Sequence, residues 1–128
     1  GILQLLSDLQ EAGVKIAVAS NKFIAGTQAL ISHYFPDINF VSVLGGRDGV
    51  PLKPDPQVVG EILRQSGAGS EETVMVGDSA TDTATASNGG IRSIGVTWGF
   101  RGRAELEAAG ADYVVDTQDE LAALILGV

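Results

Sequence analysis

A hydroxyl, an ammonium and two carboxylates stand where this 128-residue chain could most readily do chemistry: Ser20, Lys53, Asp78 and Asp82. Asp78 and Asp82 lie four residues apart in Gly77-Asp78-Ser79-Ala80-Thr81-Asp82. At the start of a helix that spacing sets both carboxylates on one face, with Cβ atoms about 5–6 Å apart. Like charges so placed repel, and a divalent cation removes the repulsion; Mg²⁺ takes one or two carboxylates, keeps several waters and shares a substrate phosphate. The alternative is structural, with Asp78 capping the helix and Asp82 facing the positive end of its dipole. Ser20 falls where a strand hands over to a helix. Its hydroxyl and the unpaired N–H groups of the next turn make an anion site there, or the residue is only an N-cap. Lys53 lies between the glycine-rich Gly45–Gly49 stretch and two prolines, Pro54 and Pro56, whose fixed φ angles restrict the backbone that aims its ammonium.

These residues share a site only if the intervening chain brings them together. Short β-branched runs alternate with longer amphipathic stretches, the pattern of a parallel sheet covered by helices. The runs predict strands over Val14–Ala19, Phe40–Leu44, Thr73–Gly77, Ile91–Val96 and Asp112–Val115. They are continuously apolar rather than alternating, as befits strands buried on both faces. Helices are predicted over Ile2–Ala12, Lys22–Tyr34, Pro56–Gln65, Ser79–Asn88, Arg103–Ala109 and Gln118–Leu126. Gly13 ends the first, Asp55 with Pro56 opens the third, and Thr117 with Glu120 forms a capping box for the last. The expected fold is α/β, a Rossmann-like open parallel sheet with helices on both faces, in one domain over residues 1–128. In such sheets the ligand lies beyond the carboxyl ends of the strands, which is where Ser20, Lys53, Asp78 and Asp82 fall.

Composition narrows the partners. The net charge of −8, with eight Lys and Arg scattered singly, argues against nucleic acid and against an anionic membrane surface. No apolar stretch approaches membrane-spanning length, and the N-terminus lacks the basic flank of a signal peptide, so a cytoplasmic protein is expected. Without cysteine, and with His33 as the single histidine, any metal must be held by oxygen. His33, near a helix end beside Tyr34, reads as a packing or dipole residue. Trp98 and Phe100 flank Gly99 and could wall a substrate, although aromatics are more often core. Arg101 and Arg103 could meet a substrate carboxylate, or simply pair with Glu105 or Glu107.

Taken in order, these motifs resemble the haloacid dehalogenase-like hydrolases, and among them the phosphoglycolate phosphatase-like members. Ser20 in Val18-Ala19-Ser20-Asn21-Lys22 matches the family's second motif, a hydroxyl that bonds the phosphoryl group. Lys53 in Lys53-Pro54-Asp55-Pro56 matches the third, a lysine that neutralises nucleophile and phosphate, and Asp78 with Asp82 matches the fourth, an acidic pair that holds Mg²⁺. Gly95–Phe100 and Ala111–Asp116 also look like the phosphoglycolate phosphatase subgroup. The resemblance implies a small phosphorylated substrate bound by Ser20, Asn21 and Lys53, Lys53 as a catalytic residue, and Mg²⁺ on Asp78 and Asp82.

One departure is large. The family's chemistry begins at an Asp-x-Asp motif on a first strand, and no two of this chain's nine aspartates are separated by a single residue. The helix Ile2–Ala12 looks like the segment that re-enters the family's core after its cap domain, so the expected core is incomplete, lacking first strand, nucleophile and cap. The chain then reads as the C-terminal part of a Mg²⁺-dependent phosphatase, expected to be inactive when alone, or as a non-catalytic phosphate- and Mg²⁺-binding module with a regulatory or assembly role. A phospho-receiver domain shares the fold class but would carry its acidic cluster where Ser20 stands. In the family the lost strand lies between those ending at Ser20 and Gly77. The gap is expected to close by direct pairing of these two strands or by a strand from a second copy, a homodimer through exposed edges.

Overall fold

The computed structural model describes residues 1–99 and 102–127. Five strands alternate with six helices: α1 (Ile2–Glu11), β1 (Ile16–Phe23), α2 (Ile24–Tyr34), β2 (Phe40–Gly46), α3 (Gln57–Ser66), β3 (Val74–Gly77), α4 (Ala80–Gly89), β4 (Arg92–Val96), α5 (Arg103–Ala108), β5 (Tyr113–Val115) and α6 (Gln118–Leu126). The boundaries follow local chemistry. Thr117 Oγ1 caps α6 by accepting the Glu120 N–H at 3.1 Å and donates to the Glu120 carboxylate at 3.1 Å; the reciprocal bond of the expected capping box, from the Thr117 main-chain N–H, is replaced by this contact to the hydroxyl. Asp55 accepts the Gln57 N–H at 2.9 Å just ahead of α3. At the other end of α4, Gly90 takes φ 76°, a left-handed conformation that lets the chain reverse directly into β4.

Every strand pairing is parallel, but the sheet is divided. β1 pairs with β2, and β3, β4 and β5 form a separate three-stranded sheet in that order. The expected single open sheet is thus two half-sheets in one α/β layer, and the expected direct pairing of β1 with β3 does not occur. Helices bridge the halves above and below. α1 packs on α6 on one side, and α3 packs on α4 on the other.

The main core lies under α1 and α6, where Leu5, Leu9, Ile94, Val96, Val115 and Leu121 are buried together. On β4, Gly95 leaves room for Leu106 of α5, a wholly buried side chain that a Cβ at Gly95 would meet at 3.0 Å. That contact seats a helix of only six residues. Among the described residues no helix is long and apolar enough to cross a membrane.

Candidate functional site

A cleft of about 980 Å³ runs between the half-sheets, reaching Ala19 of β1, Gly77 at the carboxyl end of β3, and the loop that follows β2. Lys53, Asp78, Asp82, Trp98 and Gly99 line that end. Lys53 Nζ donates to Asp82 Oδ1 at 2.6 Å, with the two side chains only 13% and 15% exposed. Asp82 Oδ2 accepts the Asp78 N–H at 3.2 Å and the Ser79 hydroxyl at 3.1 Å. The second carboxylate of the motif therefore clamps the turn from β3 into α4 and anchors the lysine. The Asp78 carboxylate accepts no hydrogen bond from the described residues. It lies against Gly99, where any Cβ would overlap it, and a Cβ at Gly77 would overlap Asp82 in the same way. Both glycines are thus places where the backbone must pass close to a carboxylate.

Lys53 is aimed by its loop. The Lys53 N–H donates to Asn21 Oδ1 at 2.8 Å while Asn21 Nδ2 donates to the Lys53 carbonyl at 3.2 Å, so one amide side chain grips the lysine's main chain at both ends. The Asp55 N–H closes a turn onto the Leu52 carbonyl at 3.0 Å, with the Lys53–Pro54 peptide cis. Asn88 Nδ2 donates to the Pro54 carbonyl at 3.0 Å, tying the loop to α4. Asn21, expected among phosphate-binding residues, is placed to position Lys53.

Ser20 departs from the geometry expected of it. β1 does not end there but continues to Phe23, so α2 begins at Ile24 and Phe23 takes the N-cap position. The Ser20 hydroxyl accepts the Lys22 N–H at 3.0 Å rather than capping a helix. The physical reason is the Asn21 grip on Lys53, which holds the chain extended, and the pairing of Phe23 with Gly46, which a helical turn would break. Ser20 still follows Ala19, a wall of the cleft.

Three contributors were not singled out from sequence. Ser79 and Asn88 hold the two halves of the site as described, and Glu105 accepts the Ala80 N–H at 3.0 Å, satisfying a donor of α4's first turn from another helix. Only the N-terminal position of Ser79 carried a local signal. Of the weaker candidates, Trp98 lines the site end of the cleft, whereas His33 stacks edge-on against Tyr34 at 4.7 Å. Arg103 pairs with Asp116 at 2.9 Å and Glu107 at 3.6 Å. The Thr97 hydroxyl and Arg103 together hold the Asp116 carboxyl below its ordinary range. Phe100 and Arg101 lie outside the described residues.

Chemically, the cluster offers a fixed ammonium beside an unpartnered carboxylate. Among the described residues no three His, Cys, Asp or Glu side chains gather to make a protein-only cage. That donor set suits Mg²⁺, which is commonly held by one or two carboxylates with water and substrate phosphate completing its shell.

Comparison with known proteins places the chain in a family. The pattern of the haloacid dehalogenase-like hydrolases matches residues 1–96. A phosphoglycolate phosphatase of Vibrio parahaemolyticus is 30% identical over 120 residues, covering 94% of this chain and 53% of that protein. The pyrophosphatase PpaX of Bacillus mycoides is 31% identical over 120 residues, covering 94% and 56%. Among solved structures, a candidate phosphoglycolate phosphatase from Lactobacillus delbrueckii superposes with a TM-score of 0.94 at 38% identity, over 99% of this chain and 53% of that one. CbbY from Rhodobacter sphaeroides, solved with phosphate, gives 0.80 at 31%, over 94% and 54%. The chain thus spans about half the length of the relatives it matches. With three quarters of its residues inside the family pattern and its backbone superposing on family members, the chain belongs to the haloacid dehalogenase-like hydrolases.

Proposed function

We propose that this chain supplies the phosphate- and Mg²⁺-binding half of a phosphatase acting on small phosphoric esters of the phosphoglycolate type. The observation that carries the reading is the 2.6 Å Lys53–Asp82 pair beside the unpartnered Asp78 carboxylate, at the carboxyl ends of three parallel strands. Lys53 offers positive charge to a phosphoryl oxygen, the Ser20 hydroxyl a hydrogen bond, and Asn21 keeps the lysine in place. Mg²⁺ held by Asp78 and Asp82 would neutralise phosphate charge.

Covalent phosphoryl transfer also needs an attacking group, and this chain contains no Asp-x-Asp pair. The chain by itself therefore binds rather than turns over, which also favours the second reading, a phosphate- and Mg²⁺-binding module. Calorimetry with inorganic phosphate and Mg²⁺ tests the shared part. Binding of phosphate should strengthen with Mg²⁺, and Asp78→Asn should abolish that dependence while leaving the fold intact by circular dichroism. Absence of any Mg²⁺-linked phosphate binding sinks both readings. Turnover of a generic phosphomonoester when a segment bearing Asp-x-Asp is added separates them, since a pure binding module stays inactive.

A further inference from the structure

The helix that carries Asp82 does not cap itself. α4 starts after Ser79, whose side chain makes no cap bond; its hydroxyl donates instead to Asp82 Oδ2 at 3.1 Å. Asp82 uses that same oxygen for the Asp78 N–H at 3.2 Å and its other oxygen for Lys53. A first-turn donor that is partly shielded from water needs an acceptor from elsewhere in the protein. The Ala80 N–H, at the first helical position and half-buried, finds one in the Glu105 carboxylate at 3.0 Å, 25 residues further along the chain. Ala80 stands between the two carboxylates of the motif, so this bond holds the turn that spaces them. Glu105 is fixed in its own place, because the next residue, Leu106, is wholly buried against Gly95 of β4. α5 also begins four residues after Gly99, the glycine that lies against the Asp78 carboxylate.

We infer that Glu105 is a positioning residue for the metal site: its carboxylate supplies the cap that Ser79 does not and, through the Ala80 N–H, sets the spacing of Asp78 and Asp82. The assignment rests on the reading of these two aspartates as Mg²⁺ ligands and adds to it a residue from outside their motif. Mg²⁺ accepts little departure from octahedral geometry, so a small shift between its carboxylates lowers affinity. A carboxylate at a helix N-terminus also faces the positive end of the dipole. Acceptor and charge therefore act at the same N–H, and conservative variants separate them.

Calorimetry of the full chain with Mg²⁺ at fixed inorganic phosphate tests this, with amide hydrogen exchange of the metal-free chain as a second readout. Glu105→Ala should weaken Mg²⁺ binding about fivefold, the usual worth of a helix cap, and speed exchange over residues 80–83 before any metal is added. Glu105→Gln keeps an oxygen acceptor and should recover most of that loss. Adding Ala80→Pro to Glu105→Ala removes the orphaned N–H and presets φ at the first helical position, where proline is favoured. Ser79, at φ −139° and ψ 162°, already has the extended conformation that a following proline requires. The double variant should therefore regain Mg²⁺ affinity without the carboxylate. Glu107→Ala removes an equal charge from the exposed side of α5 and should change neither readout. If the parent binds Mg²⁺ and Glu105→Ala binds it equally, the assignment is overturned while the metal reading stands. It is also overturned if glutamine does no better than alanine, if proline restores nothing, or if Glu107→Ala loses as much affinity, since Glu105 would then act by charge or through other contacts. A parent without Mg²⁺ binding overturns the metal reading and the assignment with it.

Discussion

The site depends on residues that hold other residues in place. Asn21 grips the main chain of Lys53 at both its N–H and its carbonyl, at 2.8 and 3.2 Å, and an exposed hydrogen bond of this kind is worth about 0.5–1.5 kcal/mol. Asn21→Ala should lower unfolding free energy by only about 1 kcal/mol in urea titrations, yet weaken phosphate binding several-fold because the ammonium loses its aim. Gly99 has no left-handed φ, so its requirement is close approach to Asp78 and nothing else. Gly99→Ala is expected to displace the Asp78 carboxylate and reduce Mg²⁺ affinity by about tenfold or more, a loss of about 1.4 kcal/mol in calorimetry. Gly60→Ala is the matched control, since a Cβ there meets only Arg64 at 3.6 Å, and it should leave Mg²⁺ binding unchanged. The four chemistry-bearing residues were legible in the sequence because their types and spacing are local facts. The part played by Asn21 was not, since it rests on a partner 32 residues away.

At the scale of elements, the loop that follows β2 must be held to α3 if Lys53 is to reach α4. Arg47 does this with a 2.7 Å ion pair to Glu61 on α3. The Arg47 guanidinium, first by its hydrogen bond, holds the Glu61 carboxyl below its usual value of 4.5. A carboxyl depressed on folding stabilises the fold fully above its unfolded pKa, and the contribution disappears as pH falls through the lower folded value. Stability of the parent should therefore drop between about pH 5 and the bottom of the acid range, and Glu61→Gln should remove part of that slope in urea midpoints measured across it. A Glu61→Gln chain with an unchanged slope would show that the pair contributes nothing. Helix starts set by local chemistry, such as the Thr117 N-cap of α6, read correctly from sequence, whereas the β1–α2 boundary did not. Residues 20–23 have no strong preference of their own, and their extension is imposed by Lys53 and Gly46.

For the whole molecule, the consequential feature is a sheet in two halves held together through helices. β4 lies between β3 and β5, with four of its five residues buried, while β1 and β3 each have an unpaired edge. Opening free energies follow local packing and pairing. Native-state hydrogen exchange should therefore be slowest in β4 and faster at β1 and β3. Uniform protection across all five strands would contradict the divided sheet.

Sequence by itself determined the α/β alternation, the parallel strands and the motifs that carry Lys53, Asp78 and Asp82, because each follows from composition or from short-range spacing. Tertiary structure alone decided that β1 and β3 stand apart, that Asn21 and Asn88 carry the Lys53 loop, and that Asp82 is engaged while the Asp78 carboxylate has no partner among the described residues. Those outcomes depend on contacts between residues distant in the chain, which no local pattern encodes.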